Sequence, residues 1–276
     1  MLYSRAMRTD LFRLYEASVQ DVDFDLYFFR SVYRTIRGTT FERLREDFCG
    51  TARLACTFVQ RKASREAWAV DLDARTLAWT RAHHLPLLGD AARRIHLVRA
   101  DVRRVRTPKV DVVTALNCSW WVFKKRPALI EYFRSVHRSL APRGLMVLDA
   151  FGGDRTLRET NERRRVRGIR TFAGERVPPF TYIWEQKSFN PVDYNMHAAI
   201  HFELDNGRKA RNAFTYDWRV WSLPEMDEAL REAGFKDVHV YVQGWDDDRN
   251  RALDLYRRRT RFENQESWLA LIIGVK

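Results

Sequence analysis

The sequence predicts an α/β fold in which a parallel, doubly wound sheet carries a small antiparallel β subdomain, inserted after the fifth strand. Residues 41–151 alternate short apolar runs with amphipathic segments, as expected when helices cover both faces of a parallel sheet. Residues 180–221 instead show period-two runs and the turn dipeptide Asn206-Gly207, which favours antiparallel hairpins. No stretch approaches the roughly 20 apolar residues that span a bilayer, so we expect a globular protein.

Residues 1–40 are predicted to form an N-terminal helical cap over the entrance of the domain that follows. Apolar side chains recur at helical spacing from Asp21 to Arg37. Gly38 suits the end of that helix, because glycine tolerates the left-handed conformation common there.

Residues 41–153 are predicted to form the core of the fold. Strands are expected at Arg43–Phe48, Glu66–Asp71, Ile95–Arg99, Asp111–Asn117 and Leu145–Ala150. Helices are expected at Ala52–Arg61, Ala74–His84 and Arg126–Leu140. Right-handed crossovers in such a sheet bring the carboxyl ends of the strands to one edge, where ligands bind.

Residues 154–221 are predicted to form a basic connection followed by an antiparallel lid. Residues 154–176 are rich in arginine and lack a clean period, which indicates a mobile connection or an irregular helix. The three lid strands are expected at Thr181–Phe189, Met196–Leu204 and Lys209–Tyr216.

Residues 222–276 are predicted to return to the core with one helix and the last two strands. Ser222 and Glu225 have the spacing of a capping box, so a helix is expected to begin there and end near Ala233. Strands are expected at Val238–Val242 and Trp268–Val275. The charged stretch between them, Asp246–Gln265, is expected to be partly helical.

The formal net charge of +13 admits two interpretations. One is attraction to a polyanion such as RNA, and the other is a proteome that uses arginine wherever others use lysine. The positive charge is spread over much of the chain, which favours the second. The N-terminus has no apolar signal core, so we expect a cytoplasmic location.

Neither a disulfide nor a metal site is predicted. An odd, sparse set of three cysteines argues against a disulfide framework, and no clustered Cys/His pattern suggests zinc. The adjacent pair His83-His84 does not face one way on a helix, and we interpret it as a surface feature.

The central chemical signal is the segment Leu44–Ala55, in which a strand runs into a glycine turn and then a helix. Gly50 lets a ligand approach the backbone closely, and the helix N-terminus supplies free N–H groups. Asp71 ends the next strand about 20 residues later. That is the spacing of a nucleotide site in which a carboxylate accepts hydrogen bonds from a ribose diol.

This segment resembles the class I S-adenosylmethionine-dependent methyltransferases, whose first motif reads acid–x–G–x–G–x–G. Glu46 takes the acid position and Gly50 the middle glycine, whereas Phe48 and Ala52 replace the other two glycines. The resemblance implies a Rossmann-like sheet of seven strands and S-adenosyl-L-methionine as the cofactor. The motifs LREDFCGTA, VDLD, RAD and ALNCSWW together are similar to one group of bacterial methyltransferase-domain proteins.

Further positions follow from the same resemblance. Asp71 matches the ribose-binding acid, Asp101 matches the acid that contacts the adenine amino group, and Asn117-Cys118-Ser119 follows the strand that lines the methyl-transfer cleft. The expected cofactor-binding residues are Glu46, Phe48, Cys49, Gly50, Thr51, Asp71, Leu72, Asp101, Val102, Asn117 and Ser119. A nicotinamide dinucleotide site would need a GxGxxG turn, of which only Gly50 is present.

Candidates for binding the methyl acceptor are aromatic side chains and one arginine. Methyl transfer from a sulfonium is an in-line displacement, so the enzyme mainly aligns and desolvates the reactants. The candidates are Trp120, Trp121, Trp184, Trp218 and Arg219. Ordinary packing explains Trp120 and Trp121 equally well, and a surface ion pair is the favoured explanation of Arg219.

Catalytic candidates come from the predicted lid. His197 could act as a general base, although a lone strand histidine is more often structural, and Tyr182 and Tyr216 are weaker candidates. A period of two places Tyr182 with Trp184 on one face, and Tyr216 with Trp218 on one face. One face of the lid is expected to roof the site, and the sequence does not show which.

Three functions are compatible with these features. The first is a methyltransferase that acts on N or O of a small molecule, since a lid makes a closed pocket. The second is an RNA methyltransferase, supported by charge but not by any RNA-binding module. The third is a non-catalytic S-adenosylmethionine-binding protein, and the lid is also compatible with a homodimer.

Overall fold

The computed structural model describes residues 10–246 and 251–276, and its strands form two separate sheets. In chain order the strands are β1 (Arg43–Asp47), β2 (Glu66–Asp71), β3 (Ile95–Arg99), β4 (Val110–Ala115), β5 (Leu140–Gly152), β6 (Thr160–Val166), β7 (Phe180–Phe189), β8 (Asn195–Leu204), β9 (Lys209–Arg219), β10 (Asp237–Asp246), β11 (Arg251–Arg258) and β12 (Trp268–Val275). The central sheet has the order β11-β10-β12-β5-β4-β1-β2-β3, and the lid sheet has the order β6-β7-β8-β9. The predicted α/β fold class is confirmed.

The described residues form six α-helices, four of which begin at a side-chain cap that the sequence supplies. They are α1 (Leu11–Val19), α2 (Val22–Arg37), α3 (Arg53–Gln60), α4 (Ala74–His83), α5 (Arg126–Ser139) and α6 (Leu223–Glu232). Carboxylates of Asp10, Asp21 and Asp73 accept hydrogen bonds from first-turn N–H groups of α1, α2 and α4. Ser222 and Glu225 form the expected capping box of α6.

The position of the ligand edge follows from the strand order. β1 pairs in parallel with β2 and with β4, so the order of the chain reverses between β1 and β4. Such a switch point opens a crevice outside the carboxyl ends of the strands. On the far side, β12 runs antiparallel to both β5 and β10, and β11 forms the edge of the sheet.

β1 is buried on both faces, and each face has its own chemistry. Leu44 and Glu46 lie on the side of α3, where the Ala55 N–H donates to the Glu46 carboxylate. Arg45 lies on the opposite side and forms an ion pair of 2.8 Å with Asp47, and both side chains are fully buried. A fully buried ion pair therefore lies directly beneath the glycine turn.

Two strands occur where the sequence analysis predicts none. β6 replaces the expected mobile connection or irregular helix, and it adds a fourth strand to the lid. The sequence of β6 shows no apolar alternation because both of its faces are polar. On one face, Arg163 pairs with Glu203 on β8, and Arg165 pairs with Asp205 in the turn after β8. On the other face, the neighbouring side chains line a cavity. β11 replaces the partly helical stretch and gives the central sheet an eighth strand.

The cap contains a second helix, α1, that joins the core to the lid. Glu16 on α1 lies 3.2 Å from His84 and both side chains are buried, so the interpretation of His84 as a surface residue is wrong. Arg164 of the lid donates a hydrogen bond to the carbonyl of Ser18. Within the described residues, no helix is both long and apolar enough to cross a membrane.

Candidate active site

The turn after β1 keeps a left-handed backbone at every second residue. Phe48, Gly50 and Ala52 all have φ of +53°, and these are the three glycine positions of the motif that the segment resembles. A left-handed conformation costs a residue with a Cβ about 1 kcal/mol. The loop shape is thus retained despite two substitutions, with the Phe48 ring packed against Phe123 and Tyr132.

Asp71 fastens this turn to the end of β2. Its carboxylate accepts hydrogen bonds from the N–H groups of Gly50 and Asp73, each at 2.8 Å. Burial raises the pKa of Asp71, and these two hydrogen bonds partly offset that rise. A Cβ on Gly50 would meet no atom within 4 Å, so the face of the turn is open to a ligand.

The ends of β2 and β3 form a shelf beside Asp71. Leu72 is 67% exposed, which leaves an apolar side chain beside the carboxylate, whereas Val102 is buried. The Arg103 guanidinium lies 2.6 Å from the Asp101 carboxylate and lowers its pKa. Asp101 therefore lies where the sequence predicts it, but its carboxylate already has a partner.

On the other side of the turn, Glu46 is buried and faces α3. Its carboxylate accepts the N–H of Ala55 at 2.9 Å, and burial raises its pKa to about 8. Cys49 and Thr51 are buried within the turn. The carbonyl of Thr51 contacts His84 Nδ1 at 2.9 Å, which connects the turn through His84 to Glu16 on α1.

Asp149 on β5 organises the loop that follows β4. Its two carboxylate oxygens accept the N–H groups of Asn117 and Cys118 at 2.7 and 2.8 Å. Both of those residues have positive φ, so one carboxylate stabilises two successive left-handed residues. The Ser119 hydroxyl donates to the Leu116 carbonyl at 2.7 Å and thereby tightens the same turn.

A cavity of about 530 Å³ lies between this edge of the sheet, the cap and the lid. Its walls carry the aromatic residues Tyr15, Phe24, Phe151, Tyr182, Trp184, Tyr216, Trp218 and Tyr256. Asn117 and Asp149 lie at its floor. Cavities of this size hold small molecules.

The cavity is acidic although the protein is strongly basic. Four carboxylates line it, those of Asp21, Asp25, Asp149 and Glu162, against two guanidinium groups, those of Arg155 and Arg164. The side chain of Asp25 on α2 forms no hydrogen bond or ion pair with another described residue. Burial, and then repulsion by Asp149, raises the pKa of Asp25 to about 8.

Four of the lid residues singled out in the sequence line this cavity. Tyr182, Trp184, Tyr216 and Trp218 share one face of the lid, and the Trp184 and Tyr216 rings lie 5.5 Å apart. Tyr15 of α1 lines the same cavity as Tyr216. This face of the lid is therefore the one that covers the cleft.

The other acceptor-side candidates lie elsewhere. Trp120 and Trp121 are fully buried in the core, which fits the packing explanation. His197 is exposed and lies 3.1 Å from Asp217, outside the cavity, a position that does not fit a general base in the cleft. Arg219 stacks on Trp221 and pairs with Glu225, as expected of a structural arginine.

Sequence reasoning missed Tyr15, Asp25 and Asp149. Asp25 interrupts the aromatic run of α2, and Asp149 is the one carboxylate in the apolar run of β5, so each is an acidic residue in an otherwise apolar stretch. An isolated acidic residue in an apolar stretch is thus a sequence signal that could have identified Asp25 and Asp149 as candidate site residues. Among the residues described, no group of three or more His, Cys, Asp or Glu side chains could hold a metal ion.

Comparisons with known proteins agree with this geometry. Residues 48–144 match the family model described as a methyltransferase domain, and no curated protein matches the sequence. Among solved structures, the amino pentose methyltransferase of calicheamicin biosynthesis from Micromonospora echinaspora, solved with S-adenosylmethionine bound, has a TM-score of 0.65 and 17% identity. The match covers 96% of this chain and 98% of that one.

Two further structures are similar over nearly their whole length. The sugar N-methyltransferase of a Streptoalloteichus species has a TM-score of 0.65 and 17% identity, covering 100% of this chain and 96% of the other. The Streptomyces venezuelae protein DesVI has a TM-score of 0.67 and 15% identity, covering 96% and 97%. Residues 48–144 thus match a methyltransferase-domain model, and the chain has the fold of these structures, in agreement with the resemblance that the sequence shows.

Proposed function

We propose that this protein is an S-adenosylmethionine-dependent methyltransferase whose acceptor is a small molecule, methylated at N or O, with a basic amine nitrogen favoured. The observation that carries the proposal is the acidic, aromatic cavity that opens onto Asn117 and Asp149. It adjoins the sheet edge where the glycine turn lies. Two of the similar structures are described as an amino pentose methyltransferase and a sugar N-methyltransferase, which supports an amine acceptor.

The residues at the sheet edge fit the cofactor. Asp71 would accept hydrogen bonds from the ribose, Leu72 would cover one face of the adenine, and the open side of Gly50 leaves room for close approach. Asp101 would reach the adenine amino group only beside Arg103. Cys49, Thr51 and Val102 are buried and would shape this part of the site.

The carboxylates fit the charge of the cofactor. Glu46 and Asp25 are desolvated and have no cationic partner, which is why the pKa of each is raised to about 8. A cation bound near these two carboxyl groups would stabilise their ionised forms and lower the pKa of each. S-adenosylmethionine is such a cation, and when bound it supplies a methyl group already activated on sulfur.

The chain's own residues then have two tasks. Trp184, Trp218 and the tyrosines of the cavity exclude water and hold the acceptor flat against the sheet edge. A protonated amine must lose its proton before its lone pair can attack. Asp25 can accept that proton once it is ionised, and burial keeps its pKa above the usual range of a carboxyl group and closer to that of an amine.

The acidic cavity argues against RNA as the acceptor. Four carboxylates at the proposed site of transfer would repel a phosphate backbone, so the +13 net charge does not extend to this cavity. The experiment below distinguishes a methyltransferase from a non-catalytic S-adenosylmethionine-binding protein. A homodimer and a cytoplasmic location stay predictions.

The experiment incubates the purified protein with S-adenosylmethionine carrying a deuterated methyl group and with a metabolite extract from a bacterium. Mass spectrometry should find a basic compound that gains the labelled methyl group. Asp25→Asn should lower the rate at least about tenfold, and Asp23→Asn, on the exposed face of the same helix, should leave it unchanged. Tight binding of S-adenosylhomocysteine without any labelled product would instead favour the non-catalytic role.

A further inference from the structure

A second chamber adjoins the cavity. Its volume is about 660 Å³. It shares with the cavity the lining residues Arg155, Glu162, Gln243, Ser267 and Leu269. Because the two spaces share a wall, a molecule held in the cavity can extend into the chamber.

Two adjacent glycines, Gly152 at the end of β5 and Gly153 after it, let one wall of this chamber pack closely on the backbone. A Cβ on Gly152 would lie 2.0 Å from the Trp268 ring, and one on Gly153 would lie 2.4 Å from the Gln265 carbonyl. The segment 265–268 therefore packs directly on the backbone of β5. The Arg155 N–H donates to the Glu266 carbonyl at 3.0 Å and fixes the segment there.

The lining combines indole rings with planar polar groups. Trp245 is 42% exposed, and Trp268 is half-buried against Gly152. The side chains of Gln265, Glu266 and Ser267 form no hydrogen bond or ion pair with another described residue. The chamber thus offers apolar ring faces beside several unused hydrogen-bonding groups.

We propose that this chamber is a subsite for a neutral, hydroxyl-rich ring, such as a sugar, carried by the acceptor. A pyranose has an apolar C–H face that packs on indole and an edge of hydroxyls that needs amide, carboxylate and guanidinium partners. Glu162 and Glu266 outnumber Arg155 on the lining, so a phosphate group is disfavoured. The proposal rests on the proposed function for the role of the adjoining cavity.

The test labels the protein with 5-fluorotryptophan and follows its fluorine NMR spectrum during titration with a panel of methyl hexopyranosides and methyl pentopyranosides. Resonances of Trp245 and Trp268, assigned by Trp→Phe variants, should shift and saturate with at least one glycoside. Trp245→Ala should weaken that binding at least about tenfold, and Trp245→Phe should restore most of it.

Leu157→Ala supplies the matched control, since Leu157 is 45% exposed but lines neither space. The proposal is overturned if no glycoside shifts these two resonances, if glucose 6-phosphate binds more tightly than the glycosides, or if Trp245→Ala has no effect. Calorimetry with S-adenosylhomocysteine on the same samples separates the two ideas. If the wild-type protein does not bind S-adenosylhomocysteine, the proposed function is rejected, whereas the fluorine shifts report on the chamber alone.

Discussion

The two halves of the candidate site are built in different ways. The cofactor side lies at neighbouring strand ends of the core, where Gly50 follows one predicted strand and Asp71 and Asn117 are the last residues of two others. The acceptor side is assembled from the cap, the lid and the β10–β12 region, which are far apart in the chain. On the cofactor side, the place of a residue in the strand–turn–helix pattern predicts where it lies in the fold. On the acceptor side, the sequence does not show which segments meet.

This contrast explains which tryptophans reach a ligand space. Trp120 and Trp121 follow a strand end of the core, yet both point into the core and are fully buried. Trp184 and Trp218 lie on separate lid strands and meet over the cavity. Residue type is the same in all four, so only the packing of the lid on the core distinguishes them.

The largest expected effect concerns the ion pair beneath the glycine turn. Arg45→Met should destabilise the protein by about 3–5 kcal/mol, because the buried Asp47 carboxylate would lose its cationic partner and keep only the Tyr132 hydroxyl. Arg165→Met, which breaks the exposed pair with Asp205 in the lid, should cost less than about 1 kcal/mol. Urea unfolding of both variants measures the difference, and equal costs would contradict it.

Next in size is the loss of cofactor binding at the sheet edge. Asp71→Asn removes the charge and weakens the anchor of Gly50, and Gly50→Val forces a β-branched residue to φ of +53°. Each should weaken S-adenosylhomocysteine binding at least about a hundredfold. Trp184→Ala on the acceptor side should leave that affinity within about threefold. Calorimetry on the folded variants measures these affinities. Unchanged S-adenosylhomocysteine affinity in both Asp71→Asn and Gly50→Val would reject the assignment of the cofactor motif.

These two predictions rest on a region that the sequence describes well. β2, β3 and β12 have the predicted bounds, and Asp71 and Gly50 lie where the strand–turn–helix pattern puts them. The rest could not be predicted, for physical reasons. Alternation in β6 is masked by arginines whose partners lie on another strand, and His84 is buried only because α1 brings Glu16 to it.

A smaller effect concerns pH. The carboxyl groups of Glu46 and Asp25, whose pKa values are about 8, gain negative charge as the pH rises. S-adenosylmethionine has one more positive charge than S-adenosylhomocysteine. Its affinity relative to S-adenosylhomocysteine should therefore rise about three- to tenfold between about pH 6.5 and about pH 9. Paired calorimetric titrations measure the ratio, and Glu46→Gln should flatten its pH dependence.

The smallest expected effect tests the loop backbone. Ala52→Gly should relieve about 1 kcal/mol of left-handed strain and lose about 0.8 kcal/mol of methyl burial, so stability should stay within about 1 kcal/mol of the wild type. Ala55→Gly, equally buried but in the right-handed α3, should cost about 2 kcal/mol. Thermal or urea unfolding measures the stability of both variants. A larger loss of stability for Ala52→Gly than for Ala55→Gly would show that burial of the Ala52 methyl group outweighs the backbone strain.

The helix α1 contacts both halves of the site. Its Glu16 is joined through His84 to the carbonyl of Thr51 in the glycine turn, and its Tyr15 is a wall of the cavity. We therefore expect a ligand that fixes the glycine turn to restrict part of the acceptor wall as well. Occupancy of one half should lower the conformational entropy that the other must lose, which gives positive cooperativity between the two ligands.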